Sequence, residues 1–245
     1  MTYNRFYEHY ARVKQYLRFK RSELQSLVIV GFIIGFIFSM AQDLGDTLLL
    51  LNWAKYFILA TIVGLISLFL RLTLQKIIAL KYGYYAQFKV FWEGMAASLV
   101  FSFLSMGALP LVFPGSLSLI FMVRQRIGEF RYGYNFEETA IATLWGLIGN
   151  IYLATIFAIL NLAYPGNFFF TTGMYLNIIL GICFLVPLPW LEGLQIFFGS
   201  RFYYGVALSA WLLSTLLLIS GTKIGIIIVI LAGAFYLIGN LLWGA

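Results

Sequence analysis

The stretch Tyr56–Gly83, which reads YFILATIVGLISLFLRLTLQKIIALKYG, decides the fold. It runs from Tyr56 to Leu70 without a charged residue and continues without a proline to the glycine at position 83. An apolar run of this length is typical of a helix that spans a lipid bilayer. We therefore predict a membrane-spanning helix that stops at Gly83, because glycine readily terminates a helix.

The composition extends this prediction to the whole chain. Of its 245 residues, 62% are hydrophobic and 10% are charged, whereas soluble domains average about 45–50% apolar and about 25% charged residues. These values exclude a soluble globular enzyme, a disordered or collagen-like chain and a nucleic-acid-binding domain. The apolar runs are long and continuous, which is unlike the alternating strands of a membrane barrel. We expect an all-α polytopic membrane protein.

The apolar pattern predicts about six membrane crossings and one broken segment. The broken segment, Gly94–Phe113, contains Gly107 and Pro110 and is followed by Pro114 and Gly115, so we expect it to re-enter the membrane rather than cross it. Between the crossings, an acidic loop at 42–46 suits an external position, and 124–131 is a basic loop. The predicted crossings cover about residues 24–41, 52–83, 138–162, 171–186, 203–220 and 224–243.

The segment before the first apolar run, residues 1–23, is basic and amphipathic, and the membrane domain covers 24–245. Apolar and aromatic side chains recur at helical spacing, so we interpret 3–21 as an amphipathic helix at the cytoplasmic interface, with a solvated tail as the alternative. The positive-inside rule places the N-terminus in the cytoplasm, and we expect the protein to be an integral, multi-pass protein of the cell membrane. The basic tract predicts contact with anionic membrane lipid and not with nucleic acid.

Three of the polar residues near the apolar runs stand out. Arg71 is the first cation after the long apolar stretch, and it shares a helix face with Gln75 one turn later. Glu192 follows Pro187 and Pro189, which force the backbone out of regular helix. We expect Glu192 to lie on irregular backbone close to membrane depth, which is tolerated only inside the protein or beside a water-filled cavity.

The order of these features resembles the intramembrane zinc metalloproteases of the site-2 protease type. In that family a His-Glu-x-x-His motif is followed by small residues and a basic-Tyr-Gly stop, and Ala79-Leu-Lys-Tyr-Gly83 matches this tail. Pro114-Gly115 matches a Pro-Gly turn in the re-entrant region of the family. Trp145-Gly146-Leu-Ile-Gly-Asn150 is similar to its Ala-Gly-Pro-x-x-Asn helix, with Trp in place of Ala and Leu in place of Pro.

A last match lies in Phe184–Leu194, which is similar to the family motif Asn-x-x-Pro-x-Pro-x-Leu-Asp-Gly-Gly through Pro187, Pro189 and Gly193. The Asp of that motif is the third zinc ligand of the family, and Glu192 stands in its place here. The resemblance implies a protease-like core over about residues 55–205, followed by a C-terminal helical pair at 203–243.

The departures from the family pattern bear on the chemistry. The register places the His-Glu-x-x-His positions on Arg71-Leu72-Thr-Leu-Gln75, so both imidazole ligands and the general base are missing. Catalytic zinc needs about three protein ligands and one open position, and of the family's ligand positions only Glu192 still carries an anionic donor. The resemblance thus implies a pseudoprotease without catalytic residues and without zinc.

The resemblance also implies a contact. In the family the first His and the late Asp bind the same metal, so we predict that the Arg71 guanidinium occupies the place of the zinc and forms a salt bridge with Glu192, with Gln75 hydrogen-bonded alongside. The alternative is that Arg71 extends to the interface and Glu192 lies among the headgroups. Asn150 shapes the substrate site in the family, but a plain interhelical hydrogen bond explains it equally well.

Four functions remain open. The first is a non-catalytic protein that binds or chaperones transmembrane helices of partner proteins, in a groove lined by the segment near Pro114 and by Pro187–Glu192. The second is a small-solute transporter or channel, since broken helices with charges also mark transport sites. The third is an active intramembrane metalloprotease with an unusual metal set, and the fourth is a structural subunit of a membrane complex. The first function, helix binding, requires no cofactor, whereas the third would require zinc.

Overall fold

The computed structural model describes residues 2–40, 49–122 and 135–243, and within these ranges it contains nine helices and two strands. The predicted loops at 42–46 and 124–131 lie outside the described residues. The elements, in chain order, are α1 (Thr2–Tyr16), α2 (Arg21–Met40), α3 (Leu49–Lys81), β1 (Tyr84–Val90), α4 (Trp92–Leu104), β2 (Gly115–Phe121), α5 (Phe136–Ala163), α6 (Phe168–Leu185), α7 (Glu192–Gly199), α8 (Arg201–Ile219) and α9 (Lys223–Trp243).

Five helices are long and apolar enough to cross a membrane, which agrees with the prediction of a helical membrane protein. They are Arg21–Met40, Trp53–Lys81, Phe136–Ala163, Phe168–Leu185 and Arg201–Ile219. In α9 the side chains are described as far as Ala234, and that apolar part is shorter than a span. The sixth crossing therefore stays a prediction, as do the cell membrane and the orientation of the N-terminus.

The N-terminal helix is shorter than the predicted 3–21, because α1 ends at Tyr16 and α2 begins only at Arg21. The linker turns inward instead of continuing the helix. The carbonyl oxygen of Arg18 accepts a hydrogen bond from Lys76 Nζ at 3.1 Å, and the ring of Phe19 stacks on Phe69. These contacts anchor the end of α1 to α3.

The expected re-entrant segment consists of a short helix between two strands, which the all-α prediction did not include. Helix α4 has 13 residues, fewer than the roughly 20 that a span requires. Strands β1 and β2 pair antiparallel, with Tyr84 opposite Phe121 and Val90 opposite Gly115. The chain enters β1 through Gly83, whose φ of +81° ends α3 in a conformation that glycine adopts without strain.

Side chains from helices hold both outer edges of this sheet. Glu23 Oε1 accepts a hydrogen bond from the amide of Phe88 in β1 at 3.1 Å. Gln195 Nε2 of α7 donates to the carbonyl oxygen of Leu117 in β2 at 3.0 Å. Unpaired strand edges otherwise invite pairing with other chains. These two contacts also fix the sheet to the helices on either side.

Helix α3 lies at the centre of the bundle and contacts α2, α5 and α6. Small residues permit its close approach to its neighbours: a Cβ on Gly149 of α5 would lie 2.8 Å from Leu74 Cδ1, and one on Gly35 of α2 would lie 2.8 Å from Thr61 Cα. Helix α5 also packs on α7. The predicted site residues of α3, α5 and α7 are therefore brought together.

Candidate functional site

The candidate site is formed by residues of α3, α5 and α7, and Glu192 contributes to it from the start of α7. The residues between α6 and α7 are irregular, as the two prolines predict, and Pro187 and Pro189 are exposed. Trp190 has a φ of +68°. The irregular backbone ends at Leu191, so Glu192 is the first residue of α7 and the expectation that it lies on irregular backbone is wrong. An acidic side chain is favourable in this position, because the helix dipole is positive at its N-terminus.

Arg71, Gln75 and Glu192 form one buried cluster. Arg71 Nη2 makes an ion pair with Glu192 Oε2. Gln75 Nε2 donates to the same Glu192 oxygen at 2.9 Å and to the carbonyl oxygen of Thr143 in α5 at 3.2 Å. The exposed fractions are 2% for Arg71 and 0% for both Gln75 and Glu192. The predicted contact is confirmed, and the alternative of two separately solvated charges is wrong.

The walls of the cluster fit its charge and its shape. The Arg71 Cζ atom lies 3.5 Å from the centroid of the Phe184 ring, a geometry in which a cation is attracted to the face of an aromatic ring. On the opposite helix, a Cβ on Gly146 would lie 2.7 Å from Gln75 Cδ. Gly146 is thus the position of α5 that leaves space for the glutamine amide.

The cluster retains hydrogen-bonding capacity beyond its own contacts. Four of its buried atoms have no hydrogen-bond partner among the described residues: Arg71 Nε, Arg71 Nη1, Gln75 Oε1 and Glu192 Oε1. Buried polar atoms in proteins are usually satisfied by protein groups or by water.

The remaining predicted site residues surround the cluster or lie apart from it. Leu72 is 1% exposed and belongs to the hydrophobic core. A Cβ on Gly193 would lie 2.6 Å from the Val186 carbonyl oxygen, so this glycine allows α7 to pack against the end of α6. Pro114 and Gly115 are buried at the start of β2, where the Pro114 carbonyl oxygen accepts from the Phe91 amide at 3.1 Å. They shape the start of β2 and make no described contact with the cluster.

Asn150 does not make the interhelical hydrogen bond that was expected. It is 1% exposed, and neither atom of its amide has a partner among the described residues. Together with Asn177 and Trp211 it lines a small cavity between α5, α6 and α8. The amide faces this cavity and not a polar group of a neighbouring helix, so the expected partner is missing among the described residues.

A second buried ion pair was not predicted. Lys76 Nζ lies 2.7 Å from Glu23 Oε2 and 4.3 Å from the centroid of the Phe19 ring. Lys76 is interpreted from the sequence as one of several cations at a cytoplasmic helix end, although it directly follows Gln75 within the apolar helix. Its partner Glu23 lies in the first turn of α2, and nothing in the sequence pattern links the two residues.

The donor set of the cluster does not fit zinc. A guanidinium is a permanent cation that repels a metal ion, and an amide is a weak ligand. Elsewhere in the described ranges, no three His, Cys, Asp or Glu side chains are grouped closely enough to hold a metal. We therefore derive no chemical step through a metal at this site.

Comparison with protein-family models, with curated proteins and with solved structures gives no match for this chain. The resemblance to the site-2 protease type consequently stays a proposal. It rests on the order of the motifs and on the residues that meet in the cluster.

The close approach of α5 to the cluster yields a first prediction. Gly146→Ala is expected to displace the Gln75 amide and to destabilise the protein by about 1–2 kcal/mol, since hydrogen bonds to Glu192 and Thr143 are lost. Thermal unfolding of the detergent-purified protein measures the effect. Gly205→Ala is the matched control, because its Cβ meets nothing within 4 Å, and it should be neutral or slightly stabilising.

The effects of Gly146→Ala and Gln75→Ala on stability should be coupled. In a Gln75→Ala background the new methyl group meets no amide, so the two changes together should cost less than the sum of their single effects. Additive costs would show that Gly146 and Gln75 do not contact each other in the folded protein.

Proposed function

We propose that the protein is a non-catalytic relative of the site-2 protease type, which binds transmembrane helices of partner proteins. One observation carries the proposal: Arg71 and Glu192 are 121 positions apart in the sequence and form a buried ion pair. They occupy the positions that align with two metal ligands of the family. A shared fold explains why residues so distant in the chain converge at these positions.

The chemistry of the cluster supports the non-catalytic part. A hydrolytic metalloprotease needs a metal that polarises water and a base that accepts its proton. Here the cation is a guanidinium, which cannot activate water in this way, and Glu192 is engaged by both Arg71 and Gln75. In this proposal the zinc ligands and the general base of the family are replaced by a cluster whose charges neutralise each other and whose role is structural.

The surface beside the cluster supports the helix-binding part. The residues that precede Glu192 expose apolar groups on irregular backbone, with Leu188 exposed to 45% and Trp190 to 68%. Members of the resembled family bind substrate helices that unwind locally. An irregular apolar segment suits such a helix, because its exposed side chains can contact the partner and it is not itself part of a regular helix. We therefore place the contact with a partner helix at Leu188–Trp190.

Photo-crosslinking with a defined helix tests the proposal. The full chain, carrying p-benzoylphenylalanine in place of Trp190, is placed in nanodiscs with a leucine-rich single-span peptide that contains a central Asn-Pro break. The matched control carries the same group in place of Leu213, which is 61% exposed on α8. We expect at least about fivefold more adduct at position 190 than at 213, and more with the broken peptide than with an uninterrupted one.

The same samples separate the competing functions. The peptide should remain intact after incubation with zinc, because the cluster lacks the groups that hydrolysis requires. Equal adduct yields at the two positions would overturn the helix-binding proposal. Zinc-dependent cleavage of the peptide would overturn the non-catalytic one and favour a metalloprotease with an unusual metal set.

A further inference from the structure

A cavity of about 600 Å³ lies at the end of the bundle where α1 ends, α2 begins and α3 ends. It is apart from the Arg71 cluster and plays no role in the proposed function. Strand β1 forms one wall, where Tyr85 meets the ring of Tyr16 edge-on at 5.7 Å between centroids. The polar groups that line it include Gln15, Arg18, Lys20, Glu23, Lys76 and Gln87.

The cavity has an excess of positive charge. The pair Glu23–Lys76 is buried in its wall and neutralises itself. Arg18 and Lys20 are exposed at its rim, and neither forms an ion pair with an acidic side chain of the described residues. Two cations beside side-chain amides, which donate hydrogen bonds, are the groups that recognise a phosphate.

The place of the cavity in the fold suggests where the phosphate comes from. Helices α2 and α3 are both long enough to span a membrane, and the cavity lies where they meet at one end. A cavity at the end of spanning helices lies at the level of the lipid headgroups. Helix α1, which borders it, exposes Tyr7 and Tyr10, and aromatic side chains of this kind favour the membrane interface.

We propose that this cavity is a binding site for a phosphate group, carried by the headgroup of an anionic phospholipid or by a soluble phosphate ester. Arg18 and Lys20 contact the phosphate oxygens, and the amides of Gln15 and Gln87 donate to the same group or to its polar substituent. The buried Lys76–Glu23 pair holds the floor of the site in place.

Lipid binding to the full-length protein tests this site. Native mass spectrometry of the detergent-purified chain measures the affinity for phosphatidylglycerol and, for comparison, phosphatidylcholine. Arg18→Gln with Lys20→Gln should weaken phosphatidylglycerol binding about twenty-fivefold, which is the product of about fivefold for each cation. The matched control, Lys55→Gln with Lys223→Gln, removes the same charge from exposed positions of α3 and α9, outside both the cavity and the basic N-terminal tract, and should change binding less than about twofold.

Further measurements distinguish the two sources of the phosphate. If glycerol 3-phosphate competes with the lipid and is itself weakened by the cavity variant, the ligand is a soluble ester; if it does not compete, the ligand is the lipid headgroup. Thermal unfolding of both double variants shows that they remain folded. Equal loss of binding in the cavity variant and the control, or no saturable binding by lipid and ester, overturns the site.

Discussion

Replacing Glu192 by glutamine alone is expected to destabilise the protein by about 3–5 kcal/mol, because the Arg71 charge is left buried without a partner. Glutamine has nearly the size of glutamate, so the change removes charge and leaves the packing almost unaltered. Arg71→Met should cost a similar amount, since it leaves the Glu192 carboxylate with Gln75 as its remaining donor. Reversible unfolding in mixed micelles measures both free energies.

The double variant Arg71→Met with Glu192→Met should be close to the wild-type stability, within about 1–2 kcal/mol, because no buried charge remains and the methionines fill the space. Ser67→Ala is a suitable control on the same helix. Ser67 is also fully buried, but its hydroxyl donates to the Val63 carbonyl oxygen of its own helix, so its loss should cost less than about 1 kcal/mol.

Two outcomes would contradict this account of the cluster. Single variants that cost no more than the Ser67 control would mean that water reaches both charges. A double variant as unstable as the worse single one would mean that the ion pair itself, and not the neutrality of the site, holds α3 and α7 together.

The cluster could be predicted from the sequence, because a strong physical constraint acts on it. A charge within an apolar run needs a partner, and the motif register identified Glu192 as the partner of Arg71. The position of Glu192 at the start of α7 could not be predicted in the same way. The motif with its prolines indicates where the helix breaks, but not how soon the next helix begins.

The two-stranded sheet was missed for a different reason. In β1 the buried residues Tyr84, Ala86 and Phe88 alternate with more exposed ones, and this alternation is the normal signal of a strand. In β2 the serines at 116 and 118 alternate in the same way with the buried residues Gly115, Leu117 and Leu119. Both strands lie between long apolar runs. In such a position, residues of mixed polarity are interpreted as helix ends or interfacial loops, so the strands were not predicted.

Asn150 shows the limit of reasoning from single polar residues. An amide in an apolar helix predicts a hydrogen bond across an interface, yet the partner depends on packing distances that the sequence does not contain. Asn150 and Asn177 instead line one cavity together. The same limit applies to Lys76, whose partner Glu23 lies 53 positions away in a segment whose charged residues are mostly basic.

The Lys76–Glu23 pair should have the second largest effect on stability. Glu23 holds three elements together, since it belongs to α2, pairs with Lys76 of α3 and accepts a hydrogen bond from the Phe88 amide of β1. Glu23→Ala is expected to cost about 3 kcal/mol, because it leaves the buried Lys76 ammonium group without its counter-ion and the Phe88 amide without its acceptor. This free-energy cost lies at the lower end of the range for breaking a buried ion pair, because Lys76 also lines the open cavity and can reach water there.

Glu23→Gln separates the two contributions. The glutamine carbonyl oxygen can still accept from the Phe88 amide, so this variant should cost about 1 kcal/mol less than Glu23→Ala. Amide hydrogen exchange gives a local measure: the Phe88 amide should exchange faster in Glu23→Ala than in Glu23→Gln, while amides in the middle of α5 stay unchanged. Equal exchange of Phe88 in the two variants would show that the carboxylate does not hold the edge of β1, and that the loss of stability comes from the ion pair alone.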